Sequence, residues 1–243
     1  MPPAASGAGI RLRDIALAVA CGLAVPGAVF LGYALLARGA DGPAPDTVGL
    51  ALRIALSIGG LYLSLIAAIH LLIVRRRGVG WRQIGFRSAA VRWYLVAAAI
   101  LLLWWGGSAL IYRIFDLWDH ATAFQREALM PHRFGWLLVL PIAIAIGPLA
   151  ALLEETLFRG LLFQWLRPRL GLGLSAAVSG LLFALVHFNF LVPGGPSGLL
   201  MTAEIFAVGV ALAAVFEKSG SLWPGIALHA ANNLAVLGYL AAT

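Results

Sequence analysis

The stretch LLEETLFRGLLFQW, Leu152 to Trp165, puts Glu154, Glu155 and Arg159 inside an apolar run extending from about Trp136 to Leu166. Exposed to lipid, each such charge costs about 2.5–3.5 kcal/mol on insertion scales. A helix carrying three of them must turn them towards other protein. The run therefore belongs to a bundle of helices, and its polar face is a candidate for function.

Composition agrees. Of the 243 residues, 62% are hydrophobic and only 11% charged, and the mean hydropathy is +0.95. These values exclude an ordinary soluble domain and indicate a polytopic membrane protein. A membrane span needs about 20 apolar residues. Seven candidates are found, near 14–37, 49–74, 92–115, 135–166, 172–190, 198–216 and 221–241. The expected fold is thus an all-α transmembrane bundle of about seven spans, an eighth or a re-entrant segment being the alternative. Pro148 predicts a kink in the long fourth run. Residues 1–134 are read as N-terminal helices with a polar loop, and 135–243 as the core that carries the polar groups. Both belong to one integral membrane domain.

The formal charge of +7 does not suggest a nucleic-acid partner, because the positive charges cluster between apolar runs, where they set orientation. With seven spans, eleven Lys and Arg fall on one side: Arg11, Arg13, Arg75, Arg76, Arg77, Arg82, Arg87, Arg92, Arg167, Arg169 and Lys218. Five fall on the other: Arg38, Arg53, Arg113, Arg126 and Arg133. The richer side is expected in the cytoplasm, with the N-terminus. An Ala-, Gly-, Leu- and Arg-rich chain of this kind suggests a bacterial inner membrane, with lipid as an obligatory partner. The single Cys21 precludes an internal disulfide.

The last four runs also contain His187, Glu204, His229, Asn232 and Asn233. Counted from the cytoplasmic end at 1.5 Å per residue, Glu154 lies at roughly 16–18 Å, His187 at about 22 Å and His229 at about 12 Å; Asn233 and Glu204 lie near 18 Å. These depths place a site between the cytoplasmic half and the middle of the bilayer, and predict that it opens to the cytoplasm. Glu155 and Arg159 are four apart and share a helix face, which predicts a structural ion pair. Glu154 is turned about 100° away. A carboxylate in an apolar cavity suits a general base, an imidazole can act as acid, base or metal ligand, and an amide can donate to an oxyanion. His229 and Asn233 are four apart and share a face, as do Phe183 and His187. Trp104 and Trp105 are read as packing, and Asn232 as bonding backbone or capping a neighbour.

Glu154-Glu155-x-x-x-Arg159, Phe183-x-x-x-His187 and His229-x-x-x-Asn233 resemble the three signature motifs of the CPBP family. These are the CAAX proteases and bacteriocin-processing enzymes, also called the Abi or type II CAAX endopeptidase family. IFAVGVALAAVFEKSGSLWPGIALHAANN, Ile205 to Asn233, resembles the family's penultimate helix, turn and final catalytic helix. The resemblance covers about residues 135–240. It implies an intramembrane endopeptidase acting on a membrane-associated or lipidated peptide or protein. Glu154 and His187 would activate water, while His229 and Asn233 would hold the oxyanion. Glu155, Arg159 and Glu204 would support the site, although Glu204 is not a family signature. The family is commonly called a metalloprotease, and a Zn2+ set of Glu154, His187 and His229 is chemically allowed; there is no HExxH pair. The competing readings are a non-catalytic immunity or scaffold protein of the same fold, and a transporter.

Overall fold

The computed structural model describes residues 9–37, 47–118, 136–191 and 196–242. Their helices are α1 (Leu12–Ala37), α2 (Thr47–Ile69), α3 (Trp81–Ile84), α4 (Val91–Ile114), α5 (Trp136–Ile144), α6 (Ala150–Glu155), α7 (Gln164–Leu185), α8 (Pro196–Ser219) and α9 (Trp223–Ala242). No strand occurs among the described residues. The long apolar helices make this an integral membrane protein built as a helix bundle, as the sequence predicts. Among the described residues, five stretches are long and apolar enough to cross a membrane, the longest running from Val139 to Leu185. That one combines the fourth and fifth runs of the sequence reading. They divide at Gly171, whose φ of 73° breaks the helical path; glycine tolerates this conformation and a bulky residue does not. The polar segment 119–135 lies outside the described residues.

The charged stretch sits on an irregular helix. Residues Ala145–Leu149 and Thr156–Phe163 are π-helical, flanking α6. Pro148 lies in the first of these, where its missing N–H removes a bond from the α-helical ladder. The kink expected at Pro148 thus takes the form of a local widening, a form frequent at functional sites.

The fifth span is shorter than its apolar run suggested. After Gly171, α7 continues only to Leu185, about 21 Å of rise. His187 lies past the helix end on a turn, followed by Phe188 at φ 55° and a 3-10 turn over Asn189–Leu191. The expectation of a span to residue 190, with His187 on its helical face, is corrected accordingly.

Contacts place the arginine-rich segments at one end of the bundle. Arg77 bonds Asp14 at 2.7 Å, and Arg167 bonds Glu217 at 2.7 Å. The loop around α3 folds under this end. The Gln164 amide donates to the carbonyls of Ile84 at 2.9 Å and Gln83 at 3.2 Å. The Ser221 hydroxyl donates to Arg87 O, and Leu222 N to Gly85 O. Ile84 is buried in one core cluster with Phe163, Phe216 and Leu222. Further in, α7 and α8 cross closely: a Cβ on Gly209 would stand 2.8 Å from the Gly180 Cα.

Gly85 has φ 126°, and a Cβ there would meet Phe216 at 2.6 Å and Leu222 at 2.8 Å. Gly85→Ala is expected to cost about 1–3 kcal/mol through strain and overpacking. The measurements are a lower melting temperature in detergent and faster trypsin cleavage at Arg82 and Arg87.

Candidate active site

Glu154 and Glu155 end α6, and the adjacent positions project differently, as the 100° step requires. Glu155 is fully buried and its Oε1 is shared. Arg159 Nη1 donates to it at 2.7 Å, and His229 Nδ1 stands 3.2 Å away. Arg159 also donates through Nη2 to Gly209 O at 3.1 Å, and its guanidinium lies 4.2 Å from the centre of the Phe183 ring. The predicted pair is therefore present, with His229 as a third member. A carboxylate held by an arginine can only accept from His229, so the Nδ1 of that ring carries a proton.

Glu154 turns towards the imidazoles. Its Oε2 lies 3.7 Å from His229 Nε2 and 3.8 Å from His187 Nε2, and is a buried atom with no hydrogen bond. The other oxygen, Oε1, accepts from Tyr62 on α2 at 3.4 Å. His187 Nδ1 faces Phe183 O at 2.7 Å. A carbonyl only accepts, so Nδ1 carries the proton and a neutral ring presents a lone pair at Nε2. Phe183 packs edge-on against both rings, at 4.9 Å from His187 and 5.6 Å from His229.

Asn233 Nδ2 donates to Ile146 O at 2.9 Å, in the first π-helical segment. One of its two N–H groups is thereby used and one is left. Asn232 does not cap a neighbour; it donates to Asn233 Oδ1 at 3.4 Å and accepts from Trp105 Nε1 on α4 at 3.0 Å. Of the two tryptophans read as packing, Trp104 packs against the cluster of Ala97 and Leu101, whereas Trp105 is exposed outside the core clusters and serves as a hydrogen-bond donor. Tyr62 and Trp105 escaped the sequence reading because each acts across a long separation, 92 and 127 residues. The only local signal was a polar ring tip inside an apolar run.

The structure brings Glu154, Glu155, Arg159, His187 and His229 together, with Asn233 tied to the π-helix next to them. Glu204 is placed elsewhere: its Oε2 accepts from Tyr112, near the end of α4, at 3.2 Å. The shared depth estimated for it from α8 alone does not translate into contact.

Tetrahedral zinc with bonds near 2.0–2.1 Å sets its ligand atoms about 3.3 Å apart. The 3.7 and 3.8 Å separations about Glu154 Oε2 are wider. Among the described residues, no three His, Cys, Asp or Glu side chains are grouped so as to hold a metal ion. As they stand, Glu154, His187 and His229 do not fit a zinc set.

Residues 135–235 match the family model described as "Type II CAAX prenyl endopeptidase Rce1-like". This is the family that the three motifs resemble, and the matched segment contains all of them. It supports a membrane-protease type of function. No curated protein and no solved structure matches the chain.

The geometry separates the two glutamates by what their loss would cost. Removing one partner of a buried ion pair typically costs about 3–5 kcal/mol, because the other is left charged and unpaired. Arg159→Leu is expected to show that loss as a lower melting temperature or failed expression. Glu154→Gln keeps the shape and is expected to leave the melting temperature nearly unchanged. Equal losses in the two variants would reverse the assignment.

Proposed function

We propose, starting from the match of residues 135–235 to the type II CAAX prenyl endopeptidase family model, that the protein is an intramembrane endopeptidase. It hydrolyses a peptide bond in a membrane-associated or lipidated polypeptide. The observation that supports this best is the convergence on Glu154 Oε2 of two imidazole Nε2 atoms, each ring fixed from behind through its Nδ1. A transporter reading has no comparable support, since among the described residues Glu155, Arg159, His187 and His229 gather around Glu154.

In this reading Glu154, with His187 beside it, takes a proton from water as the oxygen attacks the scissile carbonyl carbon. The carbonyl oxygen becomes an oxyanion. The remaining Asn233 N–H and His229 donate to it, for which His229 must carry protons on both nitrogens. Collapse of the intermediate breaks the C–N bond, and the proton held by Glu154 passes to the leaving amine. Preorganised donors of this kind are often the largest single contribution to catalysis. Tyr62, by occupying Glu154 Oε1, leaves Oε2 as the basic oxygen.

The proposal includes a bacterial inner-membrane location, with the N-terminus and the arginine-rich end in the cytoplasm. The support is the eleven-to-five distribution of Lys and Arg.

The test is cleavage in detergent or proteoliposomes of a panel of C-terminal CAAX-type and membrane-protein peptides. Wild type should cleave at least one, and Glu154→Gln none. A wild type as inactive as Glu154→Gln across the panel would favour the non-catalytic scaffold. Asn233→Ala should lower kcat by about 10²–10³ with KM nearly unchanged, the usual loss for one oxyanion donor. Metal analysis of active, purified protein should find well under one zinc per chain; stoichiometric zinc, lost in His229→Ala, would assign the alternative mechanism.

A further inference from the structure

Trp105 lies on α4, outside the matched segment 135–235, yet a line of hydrogen bonds runs from it to the candidate site. Leu101 on α4 and Leu228 on α9 share one core cluster. Trp105 and Asn232 lie four residues further along their helices, so the apolar contact sets the register in which they meet. Trp105 Nε1 donates to Asn232 Oδ1 at 3.0 Å, Asn232 Nδ2 to Asn233 Oδ1 at 3.4 Å, and Asn233 Nδ2 to Ile146 O at 2.9 Å. An indole N–H can only donate and a carbonyl can only accept. Both ends of the line therefore have a fixed polarity, and the two amides between them each have one orientation.

The far end of the line is made by the helix distortion. In an α-helix the Ala150 N–H would bond Ile146 O; here it bonds Ala145 O and Gly147 O. The widening thus takes a donor away from the Ile146 carbonyl, which accepts from Asn233. Gly147 permits the approach, since a Cβ there would stand 2.7 Å from Leu234 Cδ2 on α9. The Asn233 amide is held on both sides, its Oδ1 by Asn232 and one N–H by Ile146 O. Its second N–H is the one that meets the oxyanion in the proposed mechanism. Accepting at Oδ1 polarises the amide and strengthens that donation.

We infer that Trp105 and Asn232 are positioning residues for the reaction, which together with the Ile146 carbonyl hold the Asn233 amide so that its free N–H is presented to the forming oxyanion. Both act through Asn233. The part in the reaction rests on the endopeptidase reading; the line of hydrogen bonds does not. A bond that merely satisfied two polar groups between helices would end at Asn232. Such interhelical bonds are common and individually weak in membrane proteins, and losing one would leave Asn233 as it was.

The chain has three asparagines, Asn189, Asn232 and Asn233. The full-length protein, labelled with nitrogen-15 at asparagine and held in detergent micelles, therefore gives three side-chain NH2 signals. Asn232→Leu and Asn233→Ala assign them. Trp105→Phe removes the N–H and keeps a ring. It is expected to move the signals of both Asn232 and Asn233 and to leave that of Asn189 in place. Asn232→Leu is expected to move the Asn233 signal too, and reports the same link should Trp105→Phe not yield a monodisperse protein. An Asn233 signal unchanged in both variants overturns the line of hydrogen bonds, whatever the activity. On a cleaved peptide, Trp105→Phe should lower kcat by about 10–10²-fold, as displacement of a catalytic group does, with KM nearly unchanged. In an Asn233→Ala background it should lower kcat no further, since both substitutions act on the same N–H. A kcat equal to wild type, or an equal loss in both backgrounds, overturns the positioning role. A wild type that cleaves nothing removes the endopeptidase reading and the role in the reaction with it, while the spectra still decide the line of hydrogen bonds.

Discussion

The Glu155 carboxylate is the constraint on which the rest of the site depends. Buried in an apolar bundle, it is tolerable only because Arg159 and His229 both approach one of its oxygens. That requirement ties three elements together: the end of α6, the π-helical segment after it, and α9. It also fixes the imidazole. With Nδ1 of His229 held by Glu155, Nε2 has to face Glu154. What looks from the motif like a structural pair beside a reactive residue is one connected network, in which the supporting acid aims the ring that the reactive acid meets.

The sequence carried much of this. Charges that lipid would penalise, recurring on consecutive apolar runs, picked out Glu154, Glu155, Arg159, His187, His229 and Asn233, and the structure gathers them. The helical period separated the two glutamates correctly, since they lie on an α-helical stretch. Failures came where the period itself fails. The run through residue 190 reads as continuously apolar, so nothing in its hydropathy announces that the helix stops at Leu185. Glu204 was grouped with the site because depth along one helix is a single coordinate. Tilt and lateral position decide contact, and they gave Glu204 to Tyr112 instead.

The contributions that were hardest to read come from outside the matched segment 135–235. Tyr62 on α2 and Trp105 on α4 each place one donor, on Glu154 Oε1 and on Asn232. Neither residue type is rare in a membrane helix. Only the folded packing tells a ring that anchors an interface from one that holds a reactive side chain. The first helices are therefore part of the site's construction, and the loop around α3 closes the bundle beneath it.

The contact of Gly180 with Gly209 has a consequence of its own. Helices meeting this closely bring a backbone carbonyl, Gly209 O, within 3.1 Å of the Arg159 guanidinium. The absence of two side chains thus supplies a negative dipole to a cation buried inside the bundle. A methyl group on either glycine, neutral by any count of charge, would push the helices apart and act on the protein as if a counterion had been withdrawn. In this bundle, volume and electrostatics are the same variable.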